Sequence, residues 1–265
     1  MLLGLSLALA LAAIAYRLGM LSRSGLTAAT LLGAIVYGLG GLPWALLLIL
    51  FFASSSLLSR AFAGRKARVA RHFSKGGRRD WGQVAANGGV GALLILAALA
   101  LDLDLGRLWP AYAASLAAVT ADTWATELGV LSRRPPRLLT TGRQVQPGTS
   151  GAVSRTGNLA ALAGALLIAL AAHFLHPAST SLGIVLLVAL AGFLGGLADS
   201  LLGSTVQAIY YCPQHEKETE QHPRHYCGTQ TRFHRGWPWL NNDWVNFISA
   251  LAAALLALAL LPLVG

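Results

Sequence analysis

Residues 181–208 read SLGIVLLVALAGFLGGLADSLLGSTVQA, an apolar run interrupted by a single ionisable side chain, Asp199. A helix that crosses a bilayer needs about 20 mostly apolar residues, and this stretch supplies them. Comparable runs lie at 1–16, 25–39, 43–58, 83–101, 108–128, 157–174 and 245–264, separated by polar or Gly/Pro-containing breaks. Together they predict an all-α chain, a single integral membrane domain over 1–265 folded as a polytopic bundle of about eight transmembrane helices. Several runs are shorter than a full span, so the second and third are also compatible with a hairpin that does not cross completely. The amino-terminal run, Met1 to Met20, lacks a basic leader and a small-residue cleavage site and is expected to be a retained first span.

Composition points the same way. Hydrophobic residues make up 55% of the 265 positions and charged residues 11%, against roughly 25% charged in a typical soluble domain. The net charge of +10 would suit a nucleic-acid partner only if it were spread over a soluble surface, and it is not. Arg17 and Arg23 lie in the first turn. Arg60, Arg65, Lys66, Arg68, Arg71, Lys75, Arg78 and Arg79 lie in the loop 59–82. The loop 129–156 holds Arg133, Arg134, Arg137, Arg143 and Arg155, and the loop 209–243 holds Lys217, Arg224, Arg232 and Arg235. Eight alternating spans place all of these on one side and leave only Arg107 opposite, so the positive-inside rule makes those loops cytoplasmic and puts both termini on the non-cytoplasmic side. The charge is thus a topology signal, no nucleic-acid partner is expected, and the composition is compatible with a bacterial inner (plasma) membrane.

Ionisable residues inside the spans are few: Asp122, Glu127 and Asp199. A carboxylate at the centre of a membrane helix costs about 2.5–3.5 kcal/mol on insertion scales, so each marks a candidate site. The plain alternative is a helix-packing hydrogen bond or a protonated acid. Glu127 falls at the cytoplasmic end of its span, with Asp122 about 10 Å deeper and Asp199 roughly 15 Å below the end of its own helix, at 1.5 Å per residue. Gln83 with Asn87, and Asn242 with Asn246, occupy first turns at i, i+4 spacing, so the polar groups converge at one depth on the cytoplasmic half. On a straight helix Asp122 and Glu127 diverge by about 140°; either the helix is distorted or the two acids serve different partners. Gly192, Gly196, Asp199, Gly203 and Gln207 form one stripe of mostly small residues, which permits close helix approach beside a carboxylate. Ala121-Asp122-Thr123 resembles Ala198-Asp199-Ser200, and Asp80-Trp81-Gly82-Gln83 resembles Asp243-Trp244-Val245-Asn246. An old parallel duplication or coincidence in a low-diversity sequence accounts equally for these pairs.

Two loops carry further chemistry. Arg143 precedes Gly148-Thr149-Ser150-Gly151 at the entry to the sixth helix, where free backbone N–H groups and a cation suit a phosphate; a plain cap or flexible turn is the alternative. No Walker A pattern occurs. In the last loop, Cys212 and His215 are followed by His222, His225 and Cys227. Cys212, His215, His225 and Cys227 could supply four tetrahedral ligands to a structural Zn²⁺, the alternative being a polar loop with scattered histidines. A cytoplasmic address disfavours a disulfide.

Arg79-Asp80 through Gln83 to Asn87-Gly88-Gly89, Ala121-Asp122-Thr123-Trp124-Ala125-Thr126-Glu127-Leu128-Gly129, Pro147-Gly148-Thr149-Ser150-Gly151-Ala152-Val153-Ser154, Asp199-Ser200 with Gly203 and Gln207, and Asn241-Asn242-Asp243-Trp244-Val245-Asn246 together resemble domain-of-unknown-function family 92. That family includes a plastid phytyl-phosphate kinase and is distantly similar to phytol and polyprenol kinases. The resemblance implies Mg²⁺-dependent phosphoryl transfer from a nucleoside triphosphate, CTP being favoured, to an isoprenoid monophosphate drawn from the membrane. It maps site residues onto Gln83, Asn87, Asp122, Glu127, Asp199, Asn242 and Asn246. Under this reading Asp122 and Asp199 would hold Mg²⁺, Glu127 would orient metal or substrate, Arg143 with the 148–151 turn would bind phosphates, and Gln83, Asn87, Gln207, Asn242 and Asn246 would bind substrate or nucleotide. A transporter or lipid flippase, and a cytidylyltransferase-type lipid-activating enzyme, are the competing functions.

Overall fold

The computed structural model describes residues 2–62, 77–176 and 181–264. Each predicted run becomes one helix: α1 Leu2–Arg17, α2 Arg23–Ile35, α3 Leu42–Ala61, α4 Trp81–Ala100, α5 Leu105–Gly129, α6 Arg155–Leu175, α7 Leu182–Thr205 and α8 Asn242–Leu260. A π-helical turn, Val36–Gly40, extends α2, and a 3₁₀ turn, Leu261–Leu263, follows α8. Five helices, namely α3, α4, α6, α7 and α8, are long and apolar enough to cross a membrane, while α1 is apolar but shorter. Much of the loop predicted at 59–82, with Arg65, Lys66, Arg68, Arg71 and Lys75, lies outside the described residues.

The bundle is organised around α5. Every residue from Leu108 to Ala121 is buried, which its Ala-rich sequence permits because small side chains let neighbours approach from all sides. Two large side chains close the end away from the basic loops. Tyr112 Oη donates to the Trp44 carbonyl at 2.7 Å, and Trp109 Nε1 donates to the Ala172 carbonyl at 3.2 Å. Gly192 and Gly195 on α7 sit so tightly against Ala117 and Ala118 of α5 that an added Cβ would fall 2.3 and 2.6 Å from theirs. Of the predicted stripe, Gly192 and Gly196 form the α5–α7 seam, with Gly195 beside them, whereas Gly203 packs on Ser150 and Gly151 of the preceding loop.

The turns after α1, before α4, before α6 and after α7 gather at one end. Arg79 links the first two, its N–H donating to Met20 and its carbonyl accepting from Ser22. Gly25 lies directly under that carbonyl, with no room for a side chain. Both termini lie at the other end, where Gly4 packs on Tyr37 and Ser181 Oγ donates to the Val264 carbonyl. Side-chain caps start the helices at the basic end: Asp80 and Gln83 form a reciprocal capping box on α4, Ser154 caps α6 and Asn241 caps α8. Asp80 is a cap residue whereas Asp243 lies inside α8, so the two similar entry motifs are not structurally equivalent. Trp81, Trp237, Trp239 and Trp244 are all about half exposed or more around this end, forming the kind of aromatic collar that sits at a membrane interface.

The all-α expectation needs one correction. Two small antiparallel sheets occupy the loops: β1 Arg137–Leu138 with β2 Ala152–Val153, and a three-stranded sheet in the order β4-β3-β5, from β3 Ile209–Cys212, β4 Lys217–Thr219 and β5 Arg232–Arg235. Aromatic and β-branched residues such as Ile209, Tyr210 and Phe233 favour the pleated form, but strands this short leave no usable periodicity in sequence. The end of α7 also moves: the helix stops at Thr205, so Asp199 lies six residues, roughly 9 Å, from its end.

Candidate active site

Asp122 and Asp199 meet. The close α5–α7 approach at Gly196, where an added Cβ would lie 3.2 Å from that of Ala121, lets the two carboxyl groups hydrogen-bond to each other. Two carboxyl groups can do this only with a proton between them, and a cation is the other way to hold them together. Asp199 is buried, and its Oδ2 has no hydrogen-bond partner among the described residues. A third acid, Glu220, stands close enough to act electrostatically on Asp199. Glu220 follows β4 in the last loop, so its place beside two helix carboxylates cannot be inferred from spacing.

Gln207 connects this acidic group to the glycine turn. Its Nε2 donates to Glu220 Oε1 at 2.9 Å, and its Oε1 accepts from Ser150 Oγ at 2.9 Å. Gly203 and Gly151 make the junction possible. A Cβ at Gly203 would meet Ser150 Oγ at 2.8 Å and the Gly151 nitrogen at 2.9 Å, and Gly151 has φ +75° against Ser204. The turn Gly148, Thr149, Ser150 and Gly151 is thereby fastened to the end of α7, one helical step from Asp199.

Beside it opens a cavity of about 780 Å³. The 148–150 turn and Arg143 form one wall, and Lys217, Glu218, Glu220 and Arg235 form the other. Arg143 is exposed, and Arg235 Nη2 lies 3.4 Å from Glu218 Oε2. An adjoining groove of about 710 Å³ is lined by Arg133, Arg134, Arg137 and Arg155 with no carboxylate among its lining residues.

Glu127 belongs to a different cluster. It is buried, accepts a 2.7 Å hydrogen bond from Ser59 Oγ, and lies within electrostatic reach of Arg79. The Arg79 guanidinium is held over the rings of Phe51 and Phe52 at 5.1 and 5.2 Å. Burial pushes Arg79 down to about 10, with Glu127 acting against that shift, so it remains charged at neutral pH. Of the two alternatives for α5, the acids serve different partners. The only sequence sign of Arg79 is that it opens the first family-like segment.

The amides divide. Gln83 is engaged in the capping box, its Oε1 accepting from the Asp80 N–H at 3.2 Å. Asn87, Asn242 and Asn246 are half-buried, and among the described residues their side chains carry no hydrogen bond. The antiparallel α7–α8 register sets Gly195 against Ser249 and Ala253, which brings Asn246 to the level of Asp199. Asn87 lies two residues before Gly89, which packs on Phe247. In the last loop, Cys212, His215, His225 and Cys227 come together, their ligand atoms all within 4.8 Å of one another.

A helical membrane protein with a carboxylate group, a glycine turn and a cationic cavity at one end is the class that fold and site define. The chain belongs to the integral membrane protein DUF92 family, whose profile matches residues 6–254. It is 34% identical over 237 residues to Protein PGR of Arabidopsis thaliana, covering 82% of this chain and 81% of that protein. An uncharacterized membrane protein of Methanocaldococcus jannaschii is 35% identical over 186 residues, 69% of this chain and 74% of the relative. Protein VTE6, chloroplastic, of Arabidopsis thaliana is 26% identical over 243 residues, 90% of this chain and 64% of the relative. No solved structure matches.

Proposed function

We propose that this protein transfers the γ-phosphoryl group of a nucleoside triphosphate to an isoprenoid monophosphate, such as phytyl phosphate, at the cytoplasmic face of a bacterial plasma membrane. The observation that carries the reading is the junction of Asp122, Asp199 and Glu220 with the Ser150–Gln207 link and the cationic cavity. The family resemblance, which includes a phytyl-phosphate kinase, supplies the substrate class. The concentration of basic loops at that end supports the orientation, with both termini outside.

Three carboxylates and the unpartnered Asp199 Oδ2 fit a hard, oxygen-seeking cation. Asp122, Asp199 and Glu220 would hold Mg²⁺, which would neutralise charge on the transferring phosphates. The chain's own groups do the rest. Arg143, Lys217 and Arg235 attract the triphosphate, and the Gly148 and Ser150 N–H groups orient it, the Thr149 N–H being held by the Gln146 carbonyl. Asn87, Asn242 and Asn246 offer uncommitted amides to the acceptor phosphate. Glu127 acts through Arg79, keeping one fixed cation at the rim. The acceptor is already an anionic oxygen nucleophile, so no strong base is required: a lipid phosphate oxygen attacks the γ-phosphorus, the bond to the β-phosphate oxygen breaks, and a nucleoside diphosphate leaves.

The test is to incubate the purified, detergent-solubilised chain with phytyl or geranylgeranyl monophosphate, Mg²⁺ and each nucleoside triphosphate in turn, reading lipid products by mass. A Mg²⁺-dependent gain of one phosphate is expected. A nucleotidyl–lipid adduct with release of diphosphate would replace the kinase by a cytidylyltransferase-type activity. Folded protein without any lipid product would remove the phosphoryl-transfer reading in favour of transport.

A further inference from the structure

We propose that Cys212, His215, His225 and Cys227 bind one structural Zn²⁺ that folds the last loop and so delivers Glu220 to the carboxylate group. The four ligand atoms lie within 4.8 Å of one another, and three of their separations are close to the edges of a zinc tetrahedron. Zinc bonds of roughly 2.3 Å to sulfur and 2.0 Å to nitrogen place neighbouring ligand atoms about 3.3–3.8 Å apart. Here Cys212 Sγ lies 3.8 Å from Cys227 Sγ and 3.7 Å from His215 Nδ1, and His225 Nδ1 lies 3.1 Å from Cys227 Sγ. A disulfide would require the sulfurs at about 2.05 Å, and both cysteines are free. Two thiolates and two imidazoles at tetrahedral spacing select zinc among the common divalent ions.

The loop is built to present these atoms. Cys212 ends β3, and Glu216, at φ 48°, turns the chain immediately after His215. Gly228, at φ +86°, closes the second turn, with its N–H donating to the His225 carbonyl. Thr229 Oγ1 donates to Gln214 Oε1, tying one turn to the other. Tyr226 Oη lies 3.2 Å from His215 Nε2, which leaves His215 Nδ1 facing Cys212. Such outer contacts orient metal-bound imidazoles. Cys212 and His225 are buried, although the sheet around them has strands of only three or four residues. The base of the sheet is fastened to the end of α7 by the Trp237 N–H donating to the Val206 carbonyl and by the Gln207–Glu220 bond, whereas the two turns that carry the four ligand residues lie at its far end, where a metal would add rigidity. β4 pairs with β3 through Cys212↔Lys217 and Tyr210↔Thr219, and Glu220 follows directly. The positioning role rests on the proposed function; the zinc itself does not.

The experiment is elemental analysis of the full-length chain purified in mild detergent without added metal, followed by cobalt exchange. One zinc per chain is expected, and cobalt should give the visible bands and thiolate charge-transfer absorption of a tetrahedral S₂N₂ site. Because Cys212 is buried, the exposed ligand is tested in parallel with Cys212→Ser: His215→Ala should still insert and purify, but lose most of its zinc and show a lower thermal midpoint than wild type. Folded wild-type protein with reduced thiols that carries no zinc and gives no cobalt spectrum would overturn the proposal, as would a Cys212–Cys227 disulfide in protein extracted from membranes with thiols blocked at lysis. Zinc present without lipid phosphorylation would count against the kinase alone.

Discussion

Gln207 Nε2 donates a 2.9 Å hydrogen bond to Glu220 Oε1, and Gln207 is almost wholly buried. One side chain at the end of α7 therefore couples an intramembrane helix to a strand of the last loop. Replacing Gln207 with Ala leaves Ser150 and Glu220 without this partner. A loss of about 1–3 kcal/mol is expected for the unmet groups, seen as a lower thermal midpoint in detergent, together with reduced turnover. A wild-type midpoint would mean that the link carries no stability.

Asp122→Asn and Asp199→Asn should each reduce phosphoryl transfer at least about 100-fold, the scale of losing an electrostatic contact to a transition state. Both proteins should insert and elute normally. Near-normal turnover in either variant would take that residue out of the metal role.

Gly192→Ala adds a methyl group 2.3 Å from the Ala117 Cβ. Overpacking of this kind costs about 1–3 kcal/mol, and the α5–α7 seam is where Asp122 meets Asp199. The thermal midpoint should fall and turnover with it, whereas Gly41→Ala, where an added Cβ has open space but φ is +88°, should lower stability with little effect on turnover.

Arg79 and Glu127 should behave as a unit. Arg79→Gln or Glu127→Gln alone should cost about 1–3 kcal/mol, the range for leaving a buried polar group unmet. A double-mutant cycle should show that the pair loses less than the sum of the singles. Additive losses would separate the two residues energetically.

Sidedness is checked by cysteine labelling. In intact bacterial cells expressing the chain, Arg107→Cys should react with a membrane-impermeant maleimide, while Arg155→Cys should react only after permeabilisation. The reverse pattern would invert the topology.

The helices were legible because apolar runs broken by polar turns leave a strong signal, and each predicted run became one helix. A common place for Asp122 and Asp199 on the cytoplasmic half was legible, since residue rise along a helix is fixed, but their matching depth was not, because it depends on α7 stopping at Thr205. Glu220 and Arg79 were not legible as site residues, because both enter from loops whose reach depends on tertiary contacts. Their position rests on Gln207 and on the backbone links to Met20 and Ser22, and no period in the sequence encodes either. The small sheets escaped for the same reason: four residues around Tyr210 carry too little pattern to distinguish strand from coil.

The tryptophan collar has a kinetic consequence. Trp81 opens α4 and Trp244 lies in the first turn of α8, so a collar at headgroup depth would leave Asp122 and Asp199 roughly 10 Å, six or seven residues of helix, below the plane where lipid phosphates reside. On the proposed function, the acceptor would arrive by two-dimensional diffusion within the leaflet rather than from bulk solution. Turnover would then follow the mole fraction of isoprenoid phosphate among the surrounding lipids. Diluting the substrate with inert phospholipid, at constant total substrate, would slow the enzyme even though its concentration in the tube had not changed.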